Sequence, residues 1–187
     1  MIEIDDGGSI ERAAELLRGL PGAINKVSRK AAQAAIKGIK KEAVNQVAEH
    51  YTIQRGRIGK TMRARRKGMG AEFIARGPVN DLSYFKHNPR SVPRRRPPAG
   101  TYLYSQVVKG QGGTIAHAFL AKMRSGHVGV FRRTAGNRSL PIAKLSGPST
   151  PQMLENPVIR SYLEKQMANR FAQAIEAGTA EALGGKS

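Results

Sequence analysis

Apolar residues recur at helical spacing through the first fifty residues of the chain. A short helix, capped by Ser9, is predicted over residues 9–17, and the segment 19–22, with a glycine at each end, breaks it. After Pro21, which suits the first turn of a helix, apolar residues recur every three or four positions as far as His50. This spacing predicts one long N-terminal helix. Its alanine-rich face at 31–35 suits close packing on a sheet or on a neighbouring subunit.

Shorter, β-prone runs replace the helical spacing in the middle of the chain. They predict strands at residues 61–67, 72–76, 102–108, 115–123 and 127–133. Glycines predict tight turns at 68–70 and at 110–113. Prolines 89, 93, 97 and 98 predict an extended, exposed Arg/Pro-rich loop over residues 88–100.

Helical spacing returns after residue 148. Thr150-Pro151 and Asn156-Pro157 each join a capping residue to a proline at the first helical position, so two helices are expected to start close together. A single apolar stripe then follows at helical spacing: Ile159, Leu163, Met167, Phe171, Ala174 and Ile175. Gly184-Gly185 ends the pattern.

These elements predict the fold class and the domain organisation. We predict an α+β fold in which long N-terminal and C-terminal helices pack around a central, mostly antiparallel β-sheet with an extended Arg/Pro-rich loop. A length of 187 residues fits a single domain over 1–187. Within that domain residues 1–51 are expected to be helical, 52–148 basic and β-rich, and 149–187 helical.

The positive charge of the chain is concentrated in its middle segment. Residues 52–148 contain 20 Lys or Arg against two acidic residues, Glu72 and Asp81, and so carry +18 of the formal net charge of +19. Charges of one sign repel one another in the compact state, and nucleic-acid phosphates are the commonest partner that offsets this repulsion. Nucleic acid is therefore the expected partner. The alternative is a merely solvated basic surface, although such surfaces usually intersperse acidic residues with the basic ones.

Two groups of basic residues are candidates for that contact. The hairpin cluster consists of Arg63, Arg65, Arg66 and Lys67, and the loop cluster consists of Arg94, Arg95 and Arg96. On a strand Arg63 and Arg65 would share one face, and Arg66 would take the other. Aromatic residues are sparse near both clusters, so the expected contacts are to phosphates and independent of sequence. The alternative is that these side chains bind acidic faces of neighbouring subunits, and the two readings are compatible.

The residues needed for catalysis or metal binding are not assembled in the sequence. The lack of Cys excludes disulfides, thiolate metal sites and cysteine nucleophiles. Gly59-Lys60-Thr61 matches the end of a P-loop, but Gln54 stands where the first glycine belongs, and a helix is predicted where a strand should precede it. The four histidines show no i, i+4 metal pair, and the middle segment has too few carboxylates for paired acid/base chemistry. We expect no catalytic, cofactor-binding or metal-binding residues, and no cofactor.

The sequence also predicts that the chain is soluble and made in the cytoplasm. No uncharged apolar run approaches the roughly 20 residues that span a bilayer. The N-terminus carries Glu3, Asp5 and Asp6 where a secretory signal would be positively charged. We therefore expect no contact with a membrane.

Several segments from Gly126 onward resemble a known protein family. The letters are Gly126-His127-Val128-Gly129-Val130-Phe131-Arg132, then Leu140-Pro141-Ile142, then Leu145-Ser146-Gly147-Pro148-Ser149-Thr150-Pro151-Gln152-Met153-Leu154. In order and spacing they resemble the minor tail protein Z family of tailed phages, also called tail-completion proteins. The N-terminal helix, Phe119-Leu120-Ala121 and the closing helix are similar too, so the resemblance covers most of the chain.

The resemblance implies a structural protein of the virion and no enzymatic activity. It implies an α+β tail-completion subunit at the head-proximal end of the tail, arranged as a ring that the tail symmetry of such phages makes hexameric. The implied partners are the tail tube or terminator, the head–tail connector, and genomic DNA held through its phosphates by the central arginines. The resemblance assigns no role to the Arg/Pro-rich loop, because the residues that carry the likeness lie outside it. The competing hypothesis, which the charge alone favours, is a sequence-independent nucleic-acid-binding protein of ribosomal or nucleoid type.

Overall fold

The structure is a computed structural model that describes residues 2–3, 8–20, 22–95, 102–134 and 140–184. The chain divides into two units. The first unit takes its described residues from Met1–Val44, Thr61–Arg76 and Leu154–Ser187, and the second takes them from Asn45–Lys60 and Gly77–Met153.

Helices and antiparallel strands make up both units, which confirms the α+β class. The helices are α1 Ser9–Leu16, α2 Ala23–Ile36, α3 Ile39–His50, α4 Arg55–Ile58, α5 Thr150–Leu154 and α6 Pro157–Gly184. The strands are β1 Ile2–Glu3, β2 Met62–Lys67, β3 Gly70–Ala75, β4 Asn80–Asp81, β5 Lys86–Asn88, β6 Leu103–Val108, β7 Gln111–Ile115, β8 Ala118–Lys122, β9 Val128–Arg133, β10 Ile142–Lys144 and β11 Ser146–Gly147. All described pairings between these strands are antiparallel.

The predicted long N-terminal helix is in fact two helices, α2 and α3. Lys37 is extended (φ −61°, ψ 117°) and Gly38 has φ 79°, a conformation that residues with a side chain rarely adopt. The prediction was wrong because apolar residues recur at helical spacing on both sides of the break. The cap prediction for α1 was also wrong, since Ser9 lies inside the helix and its buried hydroxyl has no hydrogen-bond partner.

Among the described residues, four small sheets stand in place of the predicted central sheet. Their strand orders are β1-β3-β2, β5-β6-β7, β10-β9-β8 and β11-β4. Strands of two to six residues pair mostly with their neighbours in sequence, so each hairpin forms its own small sheet. The predicted hairpin around residues 68–70 is confirmed as β2 and β3.

One predicted glycine turn instead forms part of a strand. β7 begins at Gln111, so Gly112 and Gly113 pair with β6. A Cβ on Gly112 would overlap the hydroxyl group of Tyr104. A side chain at 112 would therefore displace the tyrosine ring, a close approach that the sequence pattern does not reveal.

The core of the first unit forms where α2 packs against α6 and β3. Ala31, Ala32 and Ala35 are fully buried, so the alanine-rich face does pack on a sheet, as predicted, and on a helix as well. A Cβ on Gly178 of α6 would lie 3.0 Å from Cγ1 of Val27, which shows how closely the two helices approach. The predicted stripe of α6 is buried at Ile159, Leu163, Met167, Phe171 and Ile175.

Candidate nucleic-acid interface

The hairpin cluster lies on β2, an edge strand of the three-stranded sheet in the first unit. Its four side chains, Arg63, Arg65, Arg66 and Lys67, are all exposed. Side chains alternate between the two faces of a strand, so Arg63, Arg65 and Lys67 share one face, as predicted for the two arginines, and Arg66 lies on the other. One face of β2 therefore presents three cations in a row.

The buried carboxylate of Glu72 contacts two of these cations. Glu72 lies directly opposite Arg65 in the β2–β3 pairing and is only 2% exposed. The Nε of Arg65 donates to Oε1 of Glu72, and the Nζ of Lys67 lies 3.9 Å from Oε2. The arginine side chain nevertheless remains 68% exposed and that of the lysine 60%. Glu72 thus holds the guanidinium of Arg65 by a hydrogen bond and lies near the ammonium of Lys67, and both cations stay exposed to solvent.

The loop cluster belongs to the second unit. It follows β5, and its described members Arg94 and Arg95 are exposed. Arg96 and the rest of the predicted loop to residue 100 lie outside the described residues. Where the loop begins, the ring of His87 lies with Nδ1 2.7 Å from the carbonyl oxygen of Pro89 and Nε2 3.2 Å from that of Ser83.

The second carboxylate of the basic segment, Asp81, forms a polar cluster that the sequence analysis missed. The Nζ of Lys144 lies 3.0 Å from Oδ2, the Nε2 of His127 lies 2.8 Å from the same oxygen, and the backbone N–H of Ser83 donates to Oδ1 at 3.0 Å. Burial raises the pKa of Asp81, but the hydrogen bonds from Ser83 and Lys144 outweigh it and hold that pKa below its ordinary value. An isolated acidic residue in a strongly basic segment was the available signal for such a cluster.

The segment that carries the family resemblance surrounds Asp81. A Cβ on Gly129 would lie 3.0 Å from Nε2 of His127 and 3.2 Å from Oδ2 of Asp81. β11 pairs with β4, and a Cβ on Gly147 would lie 2.5 Å from Cε2 of the buried Phe85. The ring of Phe85 occupies the space of a Cβ at 147, and a Cβ at 129 would press on the Asp81–His127 pair. The segment therefore has an architectural role within the second unit.

Both carboxylates of the basic segment are withdrawn from the surface. Glu72 and Asp81 are the only acidic residues between positions 52 and 148, and both are buried. In each unit the surface that this segment contributes therefore carries basic side chains and no exposed carboxylate. Such a surface is chemically suited to bind a polyanion through its phosphates.

The P-loop-like tripeptide and the four histidines have ordinary structural positions. Gly59-Lys60-Thr61 forms a 3-10 turn between α4 and β2, so no strand precedes it as a P-loop requires. Each histidine has a neighbour of its own: His50 the carbonyl of Gln46, His87 two carbonyls, His117 the ring of Tyr102, and His127 Asp81. Within the described ranges, no three His, Asp or Glu side chains are grouped so that they could hold a metal ion. No helix in the described part of the chain is both long and apolar enough to span a bilayer.

Comparison with known proteins identifies the family. Residues 10–183 match the family model described as prophage minor tail protein Z (GPZ). No curated protein and no solved structure matches the chain. Because the family model covers nearly the whole sequence, the chain belongs to the prophage minor tail protein Z family, whose members are structural proteins of the phage tail and so components of the virion.

Proposed function

We propose that this chain is the tail-completion subunit at the head-proximal end of a phage tail. Copies of it form a ring, hexameric by the symmetry of the tail, that contacts the tail tube or terminator and the head–tail connector. The ring helps the tail to join a head and holds the genomic DNA through phosphate contacts. Membership of the family supports the place in the tail, and the charge of the middle segment supports the contact with DNA.

One observation carries the DNA contact: both carboxylates of the basic segment are buried, so its exposed charge is of one sign. A ring at the end of the tail tube would surround the path of the DNA. Exposed guanidinium and ammonium groups on the inner surface would attract the phosphates of any sequence equally. A protein lining that path would benefit from holding DNA without base recognition.

The position in the tail is tested by imaging. The purified chain is mixed with tails that lack it, and the mixture is imaged by negative-stain electron microscopy. We expect a ring of extra density at one end of each tail only. The control omits the chain. Density spread along the tube, or on neither end, contradicts the proposal.

The number of copies is tested on the same samples. Light scattering of the chain alone and image averaging of decorated tail ends give the copy number, for which six is expected. A decorated tail end with another symmetry contradicts the hexamer but leaves the ring intact.

The high net charge also favours a second candidate, a free sequence-independent nucleic-acid-binding protein of ribosomal or nucleoid type. That protein would bind DNA as a monomer in dilute solution and would not decorate tail ends. The imaging experiment separates the two candidates, because only the tail-completion subunit is expected at one end of the tail.

A further inference from the structure

We infer that Arg65, held by Glu72, is a preorganised binding site for a phosphodiester group on the exposed face of β2. Arg65 contacts the phosphate, Arg63 and Lys67 contact its neighbours, and Glu72 is a positioning residue. The inference rests on the proposed contact with DNA and names the residues that make it.

Arg65 contacts Glu72 through Nε. A guanidinium has five N–H donors in a planar fork, one on Nε and four on the two Nη atoms. Nε meets Oε1 of Glu72, and within the described part of the chain Glu72 is the carboxylate that Arg65 pairs with, so the four N–H groups of the Nη atoms can turn to a ligand. They can form the paired hydrogen bonds that a phosphate accepts from arginine. The side chain is 68% exposed, which leaves room for such a ligand.

The anchor itself is buried within the sheet. Glu72 is 2% exposed and lies on β3 directly across from Arg65, so the carboxylate is held by the sheet. A surface arginine without such an anchor loses side-chain freedom when it binds a ligand. Arg65 has already lost part of that freedom in the folded chain. Binding through Arg65 should therefore be stronger than binding through an unanchored arginine of equal charge.

The neighbours extend the site along the strand. Arg63 and Lys67 lie on the same face, two residues on either side of Arg65, a spacing of roughly 6.6–6.8 Å along a strand. Charged side chains on an edge strand can also serve only to prevent unwanted strand pairing. In that case all exposed bases of β2 would contribute alike to DNA binding. Variants at positions 65 and 66 would then weaken binding equally.

Arg66 is the matched control, because it lies on the same strand, is exposed, faces the other way and has no carboxylate partner among the described residues. Binding of the full chain to a labelled random-sequence DNA duplex is measured by fluorescence anisotropy. We expect Arg65→Ala to weaken binding roughly tenfold, as for a lost charge-assisted hydrogen bond. Arg66→Ala should weaken it by no more than about threefold, as for an exposed charge.

Two further variants distinguish the effect of the Glu72 contact on DNA affinity from the effect of net charge. Glu72→Gln makes the chain more positive by one charge, yet it is expected to weaken DNA binding because Arg65 loses its anchor. Arg65→Lys keeps the charge but removes the fork, and we expect it to weaken binding more than Arg66→Lys does. The lysine pair alters only exposed side chains and so remains informative if Glu72→Gln fails to fold.

Equal effects at positions 65 and 66, or tighter binding by folded Glu72→Gln, would overturn the phosphate site while leaving the general contact with DNA in place. Failure of the unaltered chain to bind the duplex would overturn the proposed DNA contact itself, and the phosphate site with it.

Discussion

At the scale of single residues, Asp81 links folding to pH. Burial raises the pKa of its carboxyl group, but hydrogen bonds from Ser83 and Lys144 outweigh burial and the net pKa is lowered. A carboxylate with a lowered pKa stabilises the folded chain above the unfolded pKa of about 3.9. That stabilisation is lost as the pH falls through the folded value. The free energy of unfolding should therefore decrease below about pH 4.

The variant Asp81→Asn tests this link. At pH 7 it should lower the free energy of unfolding by about 1–3 kcal/mol, because Lys144 and His127 lose their buried partner. Between pH 5 and pH 2 its stability should change less than that of the unaltered chain. Urea unfolding at a series of pH values measures both. Glu164→Gln, which alters a solvent-exposed pair with Arg160, is the control. An unchanged acid profile in Asp81→Asn would contradict the assignment.

Gly147 shows how one absent side chain permits local packing. A Cβ there would lie 2.5 Å from Cε2 of Phe85, which is 3% exposed and has little room to move. Gly147→Ala should therefore lower the free energy of unfolding by about 1–3 kcal/mol, the usual effect of overpacking. Gly113→Ala is the matched control, since a Cβ there meets nothing within 4 Å. Equal urea midpoints for the two variants would show that Phe85 moves aside freely.

At the scale of elements, the break between α2 and α3 depends on Gly38. Its φ of 79° costs a residue with a side chain about 1–2 kcal/mol. Arg170 of α6 secures the break, since it donates to the carbonyl oxygen of Lys37 at 3.0 Å and pairs with Glu42. The two helices are therefore held apart by a contact from a distant part of the sequence.

Gly38→Ala is expected to destabilise the chain by about 1–2 kcal/mol, because the added Cβ disfavours the left-handed conformation. Gly56→Ala in α4, where φ is not positive and a Cβ meets nothing within 4 Å, should be neutral or mildly stabilising. Thermal unfolding followed by circular dichroism compares the two. A stabilised Gly38→Ala would mean that α2 and α3 can join into one helix.

The loop cluster carries a prediction of its own. Replacing Arg94, Arg95 and Arg96 by Ser should lower DNA affinity and flatten its dependence on salt, by up to about three units of the log–log slope if each contacts one phosphate. Lys26, Arg29 and Lys165, three exposed bases outside the basic segment, provide a control of equal charge. An unchanged slope for the loop variant would assign the loop to contacts with protein.

At the scale of the whole molecule, the distribution of charge predicts the mode of DNA binding. Residues 52–148 carry +18 of the net charge of +19 and expose no carboxylate. Duplexes of different sequence and equal length should therefore bind with equal affinity, and that affinity should fall steeply with salt. Competition between duplexes in anisotropy measurements tests this. A preference for one sequence would indicate base contacts, for which the hairpin exposes no aromatic ring, since Phe73 of β3 is buried.

The sequence by itself determined the features that depend on local periodicity. The stripe of α6, the hairpin of β2 and β3, and the opposite faces of Arg65 and Arg66 follow from the 3.6-residue and two-residue repeats of side-chain direction. The family resemblance was also a property of the letters alone, and the match over residues 10–183 confirms it. These features need no knowledge of what lies across from each residue.

Only the tertiary structure determined where distant residues meet. Glu72 and Asp81 are polar letters in the sequence, and their burial depends on partners such as Lys144, which is far along the chain from Asp81. The close approach of Tyr104 to Gly112, the break at Gly38 and the division of the described strands into four sheets likewise depend on backbone conformation and on what occupies the neighbouring space. Periodicity reports the direction of a side chain, whereas burial and close approach depend on what lies opposite, and folding alone brings those residues together.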